Sequence, residues 1–194
     1  MNVLCVSDVV VKELVDSQHD PGMKVDLIIA CGDLPPEYLR SLHYRFAVPL
    51  FFVLGNHDIR HDTAPAGCIN ITGRIVSHQD VNVLGFSGSR WYNGNQNQYR
   101  EHEMRSQIRR LWLRLWLLKH LDVVVTHAPP RRVHDGEDRC HKGFNCYNTL
   151  IRRHAPRYFI HGHIHRQFAD ESERVSMVGE TAVINTYGYH LLVM

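Results

Sequence analysis

The chain has little of what would mark a membrane, secreted or polyanion-binding protein. No apolar run approaches the roughly 20 residues needed to span a bilayer, so no membrane partner is expected. The first strand-like run begins at Asn2 with no basic and apolar leader before it, so no signal peptide is expected either. The formal net charge is only +2 and no basic stripe could track a phosphate backbone, which argues against nucleic acid as a partner. The five cysteines (Cys5, Cys31, Cys68, Cys140, Cys146) are an odd number and include no C-x-x-C pair. They read as free thiols in a reducing, cytoplasmic setting. No repeat, low-complexity tract or linker divides the 194 residues. Residues 1–194 are therefore expected to form a single domain, long enough to bury most of its apolar surface.

Histidine, by contrast, is abundant: fifteen residues, the first compositional hint of metal chemistry. Five short apolar runs each end in residues of the kind that hold a metal. Val3–Val6 runs into Ser7-Asp8, Leu27–Cys31 into Gly32-Asp33, and Leu50–Leu54 into Gly55-Asn56-His57-Asp58. Val123–Val125 runs into Thr126-His127, and Tyr158–Ile160 into His161-Gly162-His163-Ile164-His165. Runs this short, β-branched or aromatic and closed by small residues, read as buried strands. In open α/β sheets, sites form outside the carboxyl ends of the strands. Five strands delivering these groups to one rim would build a site for more than one metal ion.

The remaining segments read as connections. Val9 to Lys24 is expected to be a helix and then a turn at Asp20-Pro21-Gly22. Pro35-Pro36-Glu37 opens a helix through Arg45. Ile69 to Gly88 reads as short strands and hairpins of a second sheet, and Gly88 to Tyr99 as a polar loop. Glu101 to Lys119 reads as one helix with a stripe of Met104, Ile108, Leu111, Leu115 and Leu118. Trp112, Leu113, Trp116 and Leu117 widen that stripe, so the helix is either sandwiched deeply or forms a homodimer interface through residues 104–118. Ala128 to Thr149 is a long polar loop, of the kind that is usually functional, and it leads into a helix through Arg153. Thr181 to Met194 holds two more strand-like runs.

Taken singly, these polar residues have plain structural readings. Asp8 and Asp33 could cap helices, Asn56 could be a turn residue, and His127 could be a satisfied histidine beside a Pro-Pro turn. His163 and His165 are harder to dismiss, because two imidazoles flanking one residue at a strand end are costly without a partner. His161, two residues before His163, reads as structural or as a support for the ligands.

In order, Asp8, Gly32-Asp33, Gly55-Asn56-His57-Asp58, His127 and Gly162-His163-Ile164-His165 resemble the signature of the calcineurin-like metallophosphoesterases. The segment from Thr126-His127-Ala128-Pro129-Pro130 to His165 is most similar to the branch of small metallophosphoesterase-domain proteins. The resemblance implies a four-layer α/β/β/α sandwich with two mixed β-sheets. It also implies two divalent ions, Mn, Fe or Zn with Mn favoured. The first would be held by Asp8, Asp33 and His165, the second by Asp33, Asn56, His127 and His163, with Asp33 bridging.

One position departs from the family. Its first motif is usually Asp-x-His, and here Asp8-Val9-Val10 puts a valine where an imidazole belongs. The first site is one ligand short and is expected to bind more weakly. Glu13, His61, His134 and His141 are substitutes among which the sequence does not choose.

The chemistry expected of such a site is hydrolysis of a small phosphodiester or phosphomonoester. Two ions neutralise the phosphoryl oxygens and acidify a bridging water to hydroxide. His57 is the expected proton donor to the leaving oxygen, oriented by Asp58. Arg60, Asp135 and His141 are expected to meet substrate. The loop from His134 to His141 is the expected substrate-facing segment, and Asn93 to Gln98 is either a second wall of the cleft or a surface loop. The alternative is a protein that keeps the fold, has little or no turnover and acts as a binding module, a reading that Val10 favours.

Overall fold

The computed structural model describes residues 1–16, 22–59 and 64–194. Along the chain run β1 (Asn2–Ser7), β2 (Leu27–Ala30), α1 (Pro36–Phe46), β3 (Leu50–Phe52) and β4 (Cys68–Asn70). A hairpin follows, β5 (Ile75–His78) and β6 (Val81–Phe86), then a small ribbon of β7 (Ser89–Arg90) and β8 (Gln98–Tyr99). Next come α2 (Glu101–Arg110), α3 (Trp112–Leu117), β9 (Val123–Thr126), α4 (Asn145–His154) and β10 (Tyr158–His161). The last strands are β11 (Val175–Val178), β12 (Thr181–Asn185) and β13 (Gly188–Val193).

One sheet has the order β13-β1-β2-β3-β4 and the other β11-β12-β10-β9-β6-β5. Both are mixed: β1, β2, β3 and β4 are parallel with β13 antiparallel at the edge, and β12, β10, β9 and β6 are parallel between antiparallel β11 and β5. Side chains alternate across a strand, and each face here has its own cover. Val3 and Cys5 face Val125, Ile160 and Ile184 of the other sheet. Leu4 and Val6 face outward with Tyr38, Leu39 and Leu42 of α1. On the second sheet Val124, Phe159 and Val183 face outward against Met104, Leu115, Tyr147 and Leu150 of the helices. The layers are therefore α/β/β/α. Strands buried on both faces need apolar residues at every position, which is why the runs are continuous.

Several connections differ from the sequence reading. Among the described residues of Val9 to Lys24 there is no α-helix, only a short 3-10 turn at Lys12–Leu14; residues 17–21, including Asp20 and Pro21 of the expected turn, lie outside the described residues. Leu14 is the one buried residue of that turn, and Val11 and Val15 pack beside it against the outer face of the first sheet. The expected 101–119 helix is two helices that meet at Leu111, whose backbone (φ −96, ψ 2) leaves the helical region. Its stripe is buried at Met104, Leu111 and Leu115, yet Trp112 and Trp116 are 64% and 73% exposed, so the helix is not sandwiched. Of the 69–88 segment, Ile69 and Asn70 belong to β4 at the edge of the first sheet, and the β5–β6 hairpin joins the second. That hairpin turns through Gln79 and Asp80, both at positive φ (47 and 64), as a two-residue loop matching strand twist requires. α4 begins at Asn145, inside the expected loop. Among the described residues no helix is long and apolar enough to cross a membrane.

Candidate metal centre

The parallel strands β1, β2 and β3 of one sheet and β9 and β10 of the other all end at the same rim. Contacts across it join residues far apart in sequence. The main-chain N–H of His163 donates to both Asp8 oxygens (3.1 and 3.0 Å). His127 Nε2 lies 3.3 Å from Asp33 Oδ2 and 3.1 Å from Asn56 Oδ1. Asp33, His127 and His163 each offer a ligand atom, and these atoms lie within 4.8 Å of one another.

The backbone is shaped for this crowding. Asp8, Asp33 and His163 all adopt positive φ (64, 55 and 66), a left-handed conformation in which Asp and His are enriched and which costs free energy outside a site that holds it. A Cβ on Gly55 would run into Asp33 Oδ1, and one on Gly32 would collide with the Gly55 backbone and His127 Nδ1. A Cβ on Gly162 would come 2.6 Å from Asp8 Oδ2. The glycines that punctuate the motifs are there because neighbouring strand ends close onto them.

The imidazole tautomers follow from their outer partners. A carbonyl oxygen only accepts, so the nitrogen facing it carries the proton. His127 Nδ1–H donates to Cys31 O (2.8 Å), which leaves the Nε2 lone pair toward Asp33 and Asn56. His163 Nε2–H donates to Cys140 O (2.8 Å), leaving Nδ1 free. The Asn56 amide N–H donates to the Tyr92 hydroxyl (3.1 Å), which keeps Oδ1 turned to His127. Such outer contacts orient ligands before an ion arrives.

This arrangement needs positive charge. Three lone-pair-bearing atoms, Asp33 Oδ2, Asn56 Oδ1 and His127 Nε2, face one another in a buried place. Burial opposes protonation of His127, but the Asp33 carboxylate overcomes it and raises the imidazole pKa. Burial likewise pushes Asp33 up, and His127 with the His57 amide more than reverses it, holding the carboxyl low. Burial drives His163 down to about 3, so it stays neutral, the ligating form. Nearest-donor separations of 3.1 and 3.3 Å match the edges of a coordination shell with bonds of about 2.1–2.2 Å. Mixed carboxylate, amide and imidazole donors fit a divalent transition metal.

The other half of the rim is more open. Asp8 has a fully buried side chain, whereas His165 has a side chain 57% exposed, with Nε2 3.4 Å from Asp8 Oδ1 and its ring stacked on Tyr187. The Asp8 carboxylate raises the His165 pKa despite partial burial. Val10 is 42% exposed. Of the expected substitutes, Glu13 is exposed on the 3-10 turn and His61 lies outside the described residues. His134 is engaged at both nitrogens, by His161 and by Ser176 (2.9 Å each). His161 is fully buried, faces Gly162 O (3.0 Å), and is driven down to about 3 by burial; it supports the strand end carrying His163.

The remaining expected residues divide. His57 is exposed at the mouth of a cleft of about 150 Å³ shared with Asp33, Pro36 and Ile59, and its main-chain N–H donates to Asp33 Oδ1 (2.8 Å). Asp58 Oδ2 accepts the N–H groups of Asp33 and Gly55 (2.8 Å each), tying two motif loops together. His141 pairs with Asp138 (3.0 Å), and its ring lies 5.4 Å from that of His163. Asp135 is turned into its own loop, where it accepts from Arg131, Arg132 and Gly143. Arg60 lies outside the described residues. Tyr92 went unnoticed in the sequence, since a tyrosine in a polar loop carries no motif signal. So did Gln98, which collects the N–H groups of Tyr92, Asn93 and Gly94 and fixes that loop.

Comparison with known proteins places this rim in a familiar setting. Residues 1–167 match the family model described as calcineurin-like phosphoesterase. A crystal structure of TT1561 from Thermus thermophilus superposes with a TM-score of 0.70 at 17% identity, covering 98% of this chain and 93% of that one. GAP50, described as the anchor in the inner membrane complex of Plasmodium, superposes with a TM-score of 0.52 at 15% identity, covering 95% of this chain and 70% of that one. At such identities the likeness is one of fold. No curated relative matches the sequence.

Proposed function

The chain belongs to the calcineurin-like phosphoesterase family, and from that premise we propose that it is a metal-dependent hydrolase of a small phosphodiester or phosphomonoester. The observation that carries the reading is the convergence of Asp33, Asn56, His127 and His163, with tautomers preset by Cys31 and Cys140. Divalent ions held there and between Asp8, Asp33 and His165, Mn²⁺ foremost, would supply Lewis acidity toward the phosphoryl oxygens and toward water.

The chain's own groups do the rest. Asp33 serves both halves of the rim and, through Oδ1, seats the loop that carries His57. His57 stands at the cleft mouth, where its imidazole can give a proton to the leaving oxygen. Asp58 holds that loop to Asp33. If His57→Ala left turnover of a poor-leaving-group ester unchanged, His57 would lose this role.

A second reading, a binding module with little or no turnover, is favoured by Val10 and by the exposure of His165. Metal analysis of purified protein, combined with assays of p-nitrophenyl phosphate and bis-p-nitrophenyl phosphate under Mn²⁺, separates the two. Bound ion with turnover supports the hydrolase; no ion and no turnover across several metals would leave the binding module. Five unpaired cysteines, four of them buried, support a reducing, cytoplasmic location. The exposed Trp112, Leu113, Trp116 and Leu117 support a homodimer through residues 104–118, which sedimentation showing only monomer would overturn.

A further inference from the structure

Two loops meet beside the metal centre. One is 88–99, whose Tyr92 holds Asn56; the other is 128–144, whose Cys140 holds His163. The Tyr92 hydroxyl and the Cys140 thiol are near enough to shift each other's pKa, so the loops lie side by side at Asn56 and His163. Each of these residues has a sequence neighbour in a second cleft, of about 360 Å³, lined by Arg90, Trp91, Arg139 and Lys142. The cleft is thus lined by Trp91 and Arg139, the residues that directly precede those orienting Asn56 and His163.

Its lining is unusual in charge. The acidic members of the 128–144 loop are all taken: Arg131 pairs with Asp135 and Glu137, and His141 with Asp138. Arg139 and Lys142 form no ion pair among the described residues. Arg90 is fixed by Glu101 at 2.9 Å and lies over the Phe144 ring. Trp91 is 46% exposed, and one side of it is engaged by the Arg100 guanidinium, 5.4 Å from the ring centre. The cleft thus offers two uncommitted cations and an accessible indole, held on loops braced by Gln98 and Asp135.

We propose that this cleft is a specificity subsite for a second anionic group of the substrate, next to a planar ring that packs on Trp91. The substrate class is a nucleotide-like phosphoester carrying one phosphoryl group at the metal centre and another held by Arg139 and Lys142. Cations meet phosphate through charge-assisted hydrogen bonds, and aromatic rings stack on tryptophan. This rests on the phosphoesterase reading, and it adds binding energy remote from the reacting bond.

The test compares thymidine 5′-(p-nitrophenyl phosphate) with the same ester bearing a 3′-phosphate, under Mn²⁺, in the wild-type chain and in an Arg139→Ala, Lys142→Ala double variant. The leaving group is identical, so the ratio of kcat/KM reads the added phosphate alone. A ratio of roughly tenfold or more, arising in KM and falling toward one in the double variant, is expected from uniform binding. A ratio near one in the wild type, or a ratio that survives the double substitution, would overturn the subsite. Should neither ester turn over, thymidine 3′,5′-bisphosphate is titrated in EDTA against tryptophan fluorescence, with Trp91→Phe identifying the reporter. Quenching that weakens about tenfold in the double variant would support the subsite while the hydrolase reading failed; absence of binding would overturn it.

Discussion

The two halves of the rim are built to different standards. Around Asn56, His127 and His163 the candidate ligand atoms are buried, the outer nitrogens of the two imidazoles are tied to main-chain carbonyls and that of Asn56 to the Tyr92 hydroxyl, and the motif glycines leave no room to relax. Around Asp8 and His165 the carboxylate is buried, yet the imidazole is 57% exposed and leans on Tyr187, and Val10 stands in the open. One half is preorganised by the core; the other has a core-anchored carboxylate and is completed at the surface by His165. An ion is expected to be held tightly in the first and weakly in the second.

The largest expected effect is loss of the buried half. His127→Ala should remove the tightly held ion and lower turnover by about a thousandfold or more, beyond the 10–100-fold typical when only an outer partner is lost. His165→Ala should cost about tenfold, mainly as a higher Mn²⁺ requirement. Metal stoichiometry and activity measured on both variants check this; equal losses would erase the difference between the halves.

A gain is expected on the open side. Val10→His returns an imidazole beside Asp8 and should raise stoichiometry toward two ions per chain or tighten the weaker one by about tenfold. No change would show that another group already completes that half. Next in size is Tyr92→Phe, which frees the Asn56 amide to turn. Mn²⁺ affinity should fall by roughly tenfold, the low end for an outer partner, with the fold intact by circular dichroism.

Legibility in the sequence follows the same division. The five strand ends could be read because strands buried on both faces leave continuous apolar runs, and because Gly32, Gly55 and Gly162 mark places where only glycine fits. The side chains that converge at the buried half, Asp33, Asn56, His127 and His163, all lie at those ends. What escaped depends on contacts between loops distant in sequence: Tyr92 reaching Asn56, Cys140 O reaching His163, and His134 drawn to His161 and Ser176 instead of the rim. The break at Leu111 was hidden as well, since the apolar spacing runs unbroken through it.

The smallest effect concerns the metal-free protein and asks whether the buried half needs a cation even when no ion is supplied. Burial works against a proton on His127, but Asp33 raises its pKa from the ordinary 6.5 to about 9. A group whose folded pKa is raised contributes stability that is complete below its unfolded value and is lost as pH rises through the folded one. The Tm of the EDTA-treated protein should therefore fall as pH rises from about 6.5 to 9. Asp33 contributes in a separate window, since its lowered pKa matters only as pH falls from the ordinary 3.8 toward about 2. Saturating Mn²⁺ should flatten the alkaline slope, because the ion takes the place of the proton and its binding improves as protons leave. Asp33→Asn should flatten it without metal. A slope that persists in Asp33→Asn would assign it to some other group and would mean that the buried half is not held together by charge.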